Sequence, residues 1–150
     1  MIKILVLLFA SSTLLACPDL AGEYSVCRST TGNSPGSIDM VVKQTVSNKV
    51  TTYVVSATNA QSETTETETY RADGKLNVQV ITDPDSGMTM ETATTINCSG
   101  NTLNINIDVK FEGEPAGFSK VKVSKNVSEL YIDSVYFDGE EEKKDREICL

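Results

Sequence analysis

The chain has 150 residues, 13 Lys+Arg against 21 Asp+Glu, a formal net charge of −8, four cysteines, and neither histidine nor tryptophan. That length suits one domain. The missing histidine excludes Ser-His-Asp and Cys-His nucleophilic sites and imidazole-based zinc centres, and the acidic balance argues against nucleic acid, which needs clustered Lys and Arg to displace counterions.

Residues 1–16 read as a signal peptide. Lys3 gives the positive start, Ile4 to Ala10 the apolar stretch, and Leu14-Leu15-Ala16 ends on a small residue before Cys17. The apolar part is shorter than the ~20 residues that span a bilayer. Residues 17–150 are expected to form the single exported domain, periplasmic or secreted. Leu14-Leu15-Ala16-Cys17 also resembles a bacterial lipobox, in which the cysteine is diacylated and anchors the protein to the envelope. Contact with a membrane is expected only in that alternative. Against it, a lipidated Cys17 leaves three thiols, an odd number, in an oxidising compartment, and the domain starts almost at once, at Leu20. With Cys17 free of lipid, Cys17, Cys27, Cys98 and Cys149 make two bridges in one of three connectivities. No C-x-x-C pair is present, so bridging rather than metal is expected.

Beyond the leader, β-branched residues dominate and helical periodicity is nearly absent. Strands are predicted to start near residues 21, 38, 49, 63, 75, 88, 101, 117, 129 and 145. Asn33-Ser34-Pro35-Gly36-Ser37 reads as a long flexible connection between the first two. Ile38, Met40 and Val42 alternate with Asp39 and Lys43. The stretch Ser62 to Thr69 has no apolar face and reads as a strand before a wet interior, a frayed edge or a loop. Leu76, Val78 and Val80 alternate with Asn77 and Gln79, and Met88, Met90, Ile96 and Cys98 share parity. The cleanest run is Leu103 to Phe111, with apolar odd positions and polar even ones, so one face meets a core and the other water. Val121 and Val123 continue the pattern, then Leu130 and Ile132. Short turns separate the runs: Ser47-Asn48-Lys49, Ala72 to Lys75, Asp83 to Gly87, Cys98 to Asn101, Gly113 to Gly117 and Asp138-Gly139.

No connection has room for a crossover helix, so neighbours should pair antiparallel in chain order. An open meander of 8–10 strands would leave two edges prone to aggregation, and closure removes them. The expected fold is therefore all-β, an antiparallel up-and-down meander closed into a barrel, with a β-sandwich as the alternative.

Leu20-x-Gly22-x-Tyr24 resembles the opening of the lipocalin-like (calycin) proteins, where a Gly-x-Trp pattern begins the first strand. The resemblance implies that Tyr24 packs at the closed end of the barrel under a basic residue of the last strand, the place Arg146 would fill. Gly22, Tyr24 and Arg146 are then the closure residues, and a ring–cation contact would contribute ~0.5–2 kcal/mol. Alternatively, Arg146 offsets the acidic run Glu140-Glu141-Glu142. In such a barrel Cys17 and Cys98 lie at one end, and Cys27 lies beside the strand carrying Cys149. The favoured bridges are therefore Cys17–Cys98 and Cys27–Cys149.

Asp83-Pro84-Asp85-Ser86-Gly87 reads as a hairpin turn rather than a calcium loop, because it lacks further ligands. Glu63, Glu66 and Glu68 have no nucleophile or base partner in evident reach, so no enzyme, catalytic residue, metal or cofactor is expected. Met88, Met90, Phe111 and Phe118 are the candidate lumen lining, together with Phe137. Two functions fit: a monomeric exported barrel that holds a small, partly apolar molecule in its lumen, or a structural or interaction protein with a filled barrel and no ligand.

Overall fold

The computed structural model describes residues 17–31, 38–59, 62–137 and 139–150. The leader over 1–16, the connection at 33–37 and Asp138 lie outside them. The described residues hold eleven strands and no helix: β1 (Gly22–Tyr24), β2 (Cys27–Ser29), β3 (Ile38–Ser47), β4 (Val50–Asn59), β5 (Thr65–Ala72), β6 (Leu76–Thr82), β7 (Thr89–Ser99), β8 (Thr102–Phe111), β9 (Glu114–Asn126), β10 (Glu129–Phe137) and β11 (Glu142–Cys149). Every pairing is antiparallel.

The strands form two sheets, in the orders β1-β3-β4-β5 and β2-β11-β10-β9-β8-β7-β6. The first predicted strand is split between them. At Ser25 and Val26 the chain leaves one sheet and enters the other, and the Ser25 N–H donates to the Leu150 carbonyl (2.9 Å) while the Leu150 N–H donates to that of Val26 (3.1 Å). A strand that changes sheets is one way two layers share a corner. The core lies between the layers. Tyr24, Met40, Val42 and Tyr53 come from one, and Cys27, Leu103, Ile105, Leu130 and Cys149 from the other, with Leu20 ahead of β1.

The complete cylinder expected from edge protection does not form. Neither sheet closes, and β5 and β6 each keep a free edge, so a two-layered sandwich describes the molecule as well as a barrel. The turn between them shows why. Gly74, at φ +69, sends its N–H to the Ile96 carbonyl (2.9 Å) and so lengthens the β6–β7 ladder instead of turning β6 back along β5. Several inward positions of the two strands are also polar: Glu66 and Glu68 on β5, beyond the packed Tyr70 and Ala72, and Asn77 and Gln79 on β6, before Ile81.

Another difference lies at the β8–β9 hairpin. The turn is only Glu112-Gly113, both at positive φ, the geometry that suits the twist of a two-residue hairpin. The Gly113 to Gly117 stretch, expected as a turn, mostly belongs to β9. Pro115 is accommodated by a register shift opposite Val109 and Lys110. Gly117 has a packing reason of its own: a Cβ there would stand 2.7 Å from the Phe137 carbonyl oxygen.

Candidate ligand cavity

Residues 17–21 run across one end of the inter-sheet space, and four side chains fix them there. The Tyr53 hydroxyl donates to the Pro18 carbonyl (2.7 Å), and the Tyr24 hydroxyl to that of Leu20 (2.9 Å). The Leu20 N–H donates to Gln44 Oε1 (3.0 Å), and Lys125 Nζ to the Ala21 carbonyl (2.7 Å). Burial, and then the charge of Asp19, push the Tyr53 phenol up to about 12, so it stays a donor across physiological pH. The Cys17–Cys98 bridge ties the segment to β7, and Leu20 points into the core. This end is closed.

Above that floor lies a cavity of about 350 Å³. Leu20, Leu103 and Leu130 form its base, with Val42, Val55, Ile105, Val121 and Ile132 around it. These positions are the inward-facing half of each period-two pattern, brought together by the ladder register: Val42 opposite Val55, Ile105 opposite Val121. The remaining wall is β5. Tyr70, Glu68 and Glu66 line the cavity, while the intervening Thr67 and Thr69 have the opposite parity. Of the Ser62–Thr69 stretch, Thr65 onward forms an exposed edge strand with one face toward the interior, and Ser62 to Thr64 lie ahead of it. The Tyr70 hydroxyl donates to Glu68, and burial, then this bond, push its ionisation up.

The sequence-predicted lining residues sit elsewhere. Met88, Met90 and Phe111 are 46%, 40% and 46% exposed. Met90 and Phe111 have inward parity and pair with each other, but they lie on rungs past Ile107, where the lining ends. Met88 lies in the β6–β7 turn, its carbonyl accepting from the Asp83 N–H. Phe118 faces the other side of the sheet from Val121 and Val123. It stacks on Phe137 at 6.1 Å between centroids, with Lys120 Nζ 5.1 Å from its ring. Asp83 caps its turn, accepting from the Asp85 and Ser86 amides and the Ser86 hydroxyl. Among the described residues, no group of three or more His, Cys, Asp or Glu is placed to hold a metal ion.

The clamp on Tyr24 also differs from the expectation. Lys125, not Arg146, stands over the ring, with Nζ 5.8 Å from the centroid. Parity explains the correction: Arg146 alternates with the inward Cys149 and Glu147, so it points outward and pairs with Asp133 (Nη2–Oδ2 3.1 Å). Lys125 shares the inward parity of Val121 and Val123, a signal that was present in the sequence. Gly22 serves the same end. A Cβ there would stand 3.0 Å from the Tyr24 hydroxyl, so its absence lets the ring fold back over the chain. The bridges join Cys17 to Cys98 and Cys27 to Cys149.

Two inward carboxylates on β11 are tuned in opposite directions. Hydroxyls of Ser29 (2.7 Å) and Thr31 (2.9 Å) hold Asp145 below the usual carboxylate range. Burial, then the charge of Asp145, push Glu147 above it. A lowered folded value gives stability that is present at neutral pH and lost as pH falls through it; a raised one gives stability that is lost as pH rises. Asp145→Asn is therefore expected to lower the urea midpoint at pH 7. Glu147→Gln is expected to raise it at pH 7 and to leave it unchanged below the ordinary glutamate range. Urea titrations of both variants at the two pH values check the signs.

No family model, curated protein or solved structure matches the chain.

Proposed function

We propose that this is an exported, non-enzymatic, lipocalin-like protein that buries one small, partly apolar molecule between its sheets. The observation that carries the reading is the cavity: about 350 Å³, closed at one end and apolar on every side but β5. That volume falls at the low end of small-molecule sites, ~300–1,000 Å³. The lipocalin-like reading rests on topology. β1 and β2 are one kinked strand, so the meander returns from β11 to its own start and lacks only a β5–β6 pairing. Export is supported by two bridges, which fit an oxidising compartment. A bridged Cys17 has no thiol left to acylate, which favours a soluble form over an envelope anchor. Tyr70, committed to Glu68 and hard to ionise, suits orienting a ligand better than attacking one.

Titration with a neutral solvatochromic dye such as Nile red tests this. Saturable binding at one site is expected, and it should be lost in Val55→Phe, which fills the cavity, while far-UV circular dichroism is unchanged. Unsaturable binding, or binding indifferent to Val55→Phe, overturns the reading.

One observation favours an interaction role instead. The free edge strand β6 exposes Leu76, Val78 and Val80 on one face and carries no charged side chain. Edges are normally guarded by charge. In a chain of net charge −8, a neutral strand is the edge that a second copy can approach without like-charge repulsion. On this reading the protein self-associates at high concentration, and Val78→Lys returns it to a monomer in sedimentation without shifting its thermal midpoint.

A further inference from the structure

We propose that the ligand is cationic at one end: an alkyl or aryl ammonium whose hydrocarbon part fills the floor and whose head rests against Glu66 and Glu68. This rests on the cavity reading above and adds the chemical class. Polarity in the cavity is confined to one wall. Of the side chains that line the cavity, only Tyr53, Tyr70, Glu66 and Glu68 carry polar atoms, and the Tyr53 hydroxyl is occupied by the Pro18 carbonyl. The other three stand together on β5. The internal strands turn apolar side chains inward here, Met40 and Val42 on β3 and Leu103, Ile105 and Ile107 on β8. β5 turns threonine outward and glutamate inward.

Charge balance points to a donor. An ionised carboxylate only accepts hydrogen bonds, so a complementary ligand must donate. No Lys or Arg lines the cavity. The neighbouring Arg71 has outward parity and pairs with Asp73 (3.1 Å), and Lys125 is held by the Ala21 carbonyl at the closed end. The two carboxylates lie two residues apart on one face of a strand, ~7 Å along it, so one ammonium can rest between them. Tyr70 fixes Glu68 by donating to it, and its ring stands on the same wall, where an aromatic face adds attraction for a cation. The net charge of −8 draws cations in and turns organic anions away. Both carboxylates are exposed, so the head would sit at the mouth in contact with water while the tail lies in the dry part.

Three ligands of one length separate the possibilities: octylammonium, octanol and octanoate, each competing with Nile red. The expected order of affinity is octylammonium, octanol, octanoate. Two partly exposed ion pairs should favour the ammonium over the alcohol about five- to tenfold at low salt, and the preference should shrink as salt rises. The Glu66→Gln, Glu68→Gln double variant should bind octylammonium and octanol equally, with octanol affinity unchanged. Both positions are exposed, so folding is not at stake. Equal binding of ammonium and alcohol by the parent chain, or octanoate binding best, overturns the cationic assignment and leaves the cavity reading standing. If none of the three displaces the dye, and the dye itself does not saturate, both fall.

Discussion

Replacing Cys27 and Cys149 together by alanine is expected to destabilise the protein by about 4–5 kcal/mol, enough to bring a domain of ordinary stability close to its unfolding point. The bridge spans 122 residues, and loop-closure entropy for a crosslink of that length is about 5 kcal/mol. Cys149 is 0% exposed, so the substitution also opens a small void in the core. For the Cys17–Cys98 bridge, spanning 81 residues, the same relation gives about 4.5 kcal/mol. The two costs are nearly equal, yet the consequences should differ. Losing Cys27–Cys149 frees the first strand from the last. Losing Cys17–Cys98 frees the segment that floors the cavity, so dye binding should weaken along with stability. The loops interlock, so removing both bridges should cost less than the two costs taken together. Urea unfolding of each alanine pair at fixed pH reads the stabilities. A midpoint equal to that of the parent chain would show that the bridges do not restrain the unfolded state.

Tyr24→Ala is expected to cost about 3–5 kcal/mol, the usual loss for emptying a buried aromatic site. Tyr24→Phe keeps the ring but leaves the buried Leu20 carbonyl without its donor, for about 1–2 kcal/mol. Lys125→Met removes both the contact over the ring and the bond to Ala21, for about 1–2 kcal/mol. Arg146→Met should leave the urea midpoint essentially unchanged, because the pair with Asp133 is solvent-exposed. The order of Lys125 and Arg146 is the sharp part. If Arg146→Met proves the costlier of the two, the Lys125 clamp is not what holds Tyr24.

Much of the fold was legible because a strand has period two and the turn residues mark its ends. Strand starts at 38, 76, 89, 102 and 129 fall within a residue of expectation. Leu103 to Phe111 could be read face by face. Two kinds of information were not local. Where the opposing sheet stops covering a face is set by relative strand length, so Met90 and Phe111 have the right parity and the wrong height. Which amide a turn serves is set by its third-dimensional neighbours, so nothing near Gly74 announces that its N–H joins β7. The cavity wall on β5 was half legible. The parity of Glu66 and Glu68 continues into Tyr70 and Ala72, and following it through would have joined the acidic stretch to the interior. Lys125 was missed because the alternation of Val121 and Val123 was not carried two residues further.

The shared first strand gives the molecule a spine and a fore-edge. Ser25 and Val26 bind the two leaves covalently along one side, while along the other no ladder joins β5 to β6. Spontaneous opening should begin at that unsewn side, and amide hydrogens of β5 and β6 should exchange with solvent well before those of β9 and β10. A guest would then leave between the pages, past Glu66 and Glu68, rather than through the stitched end.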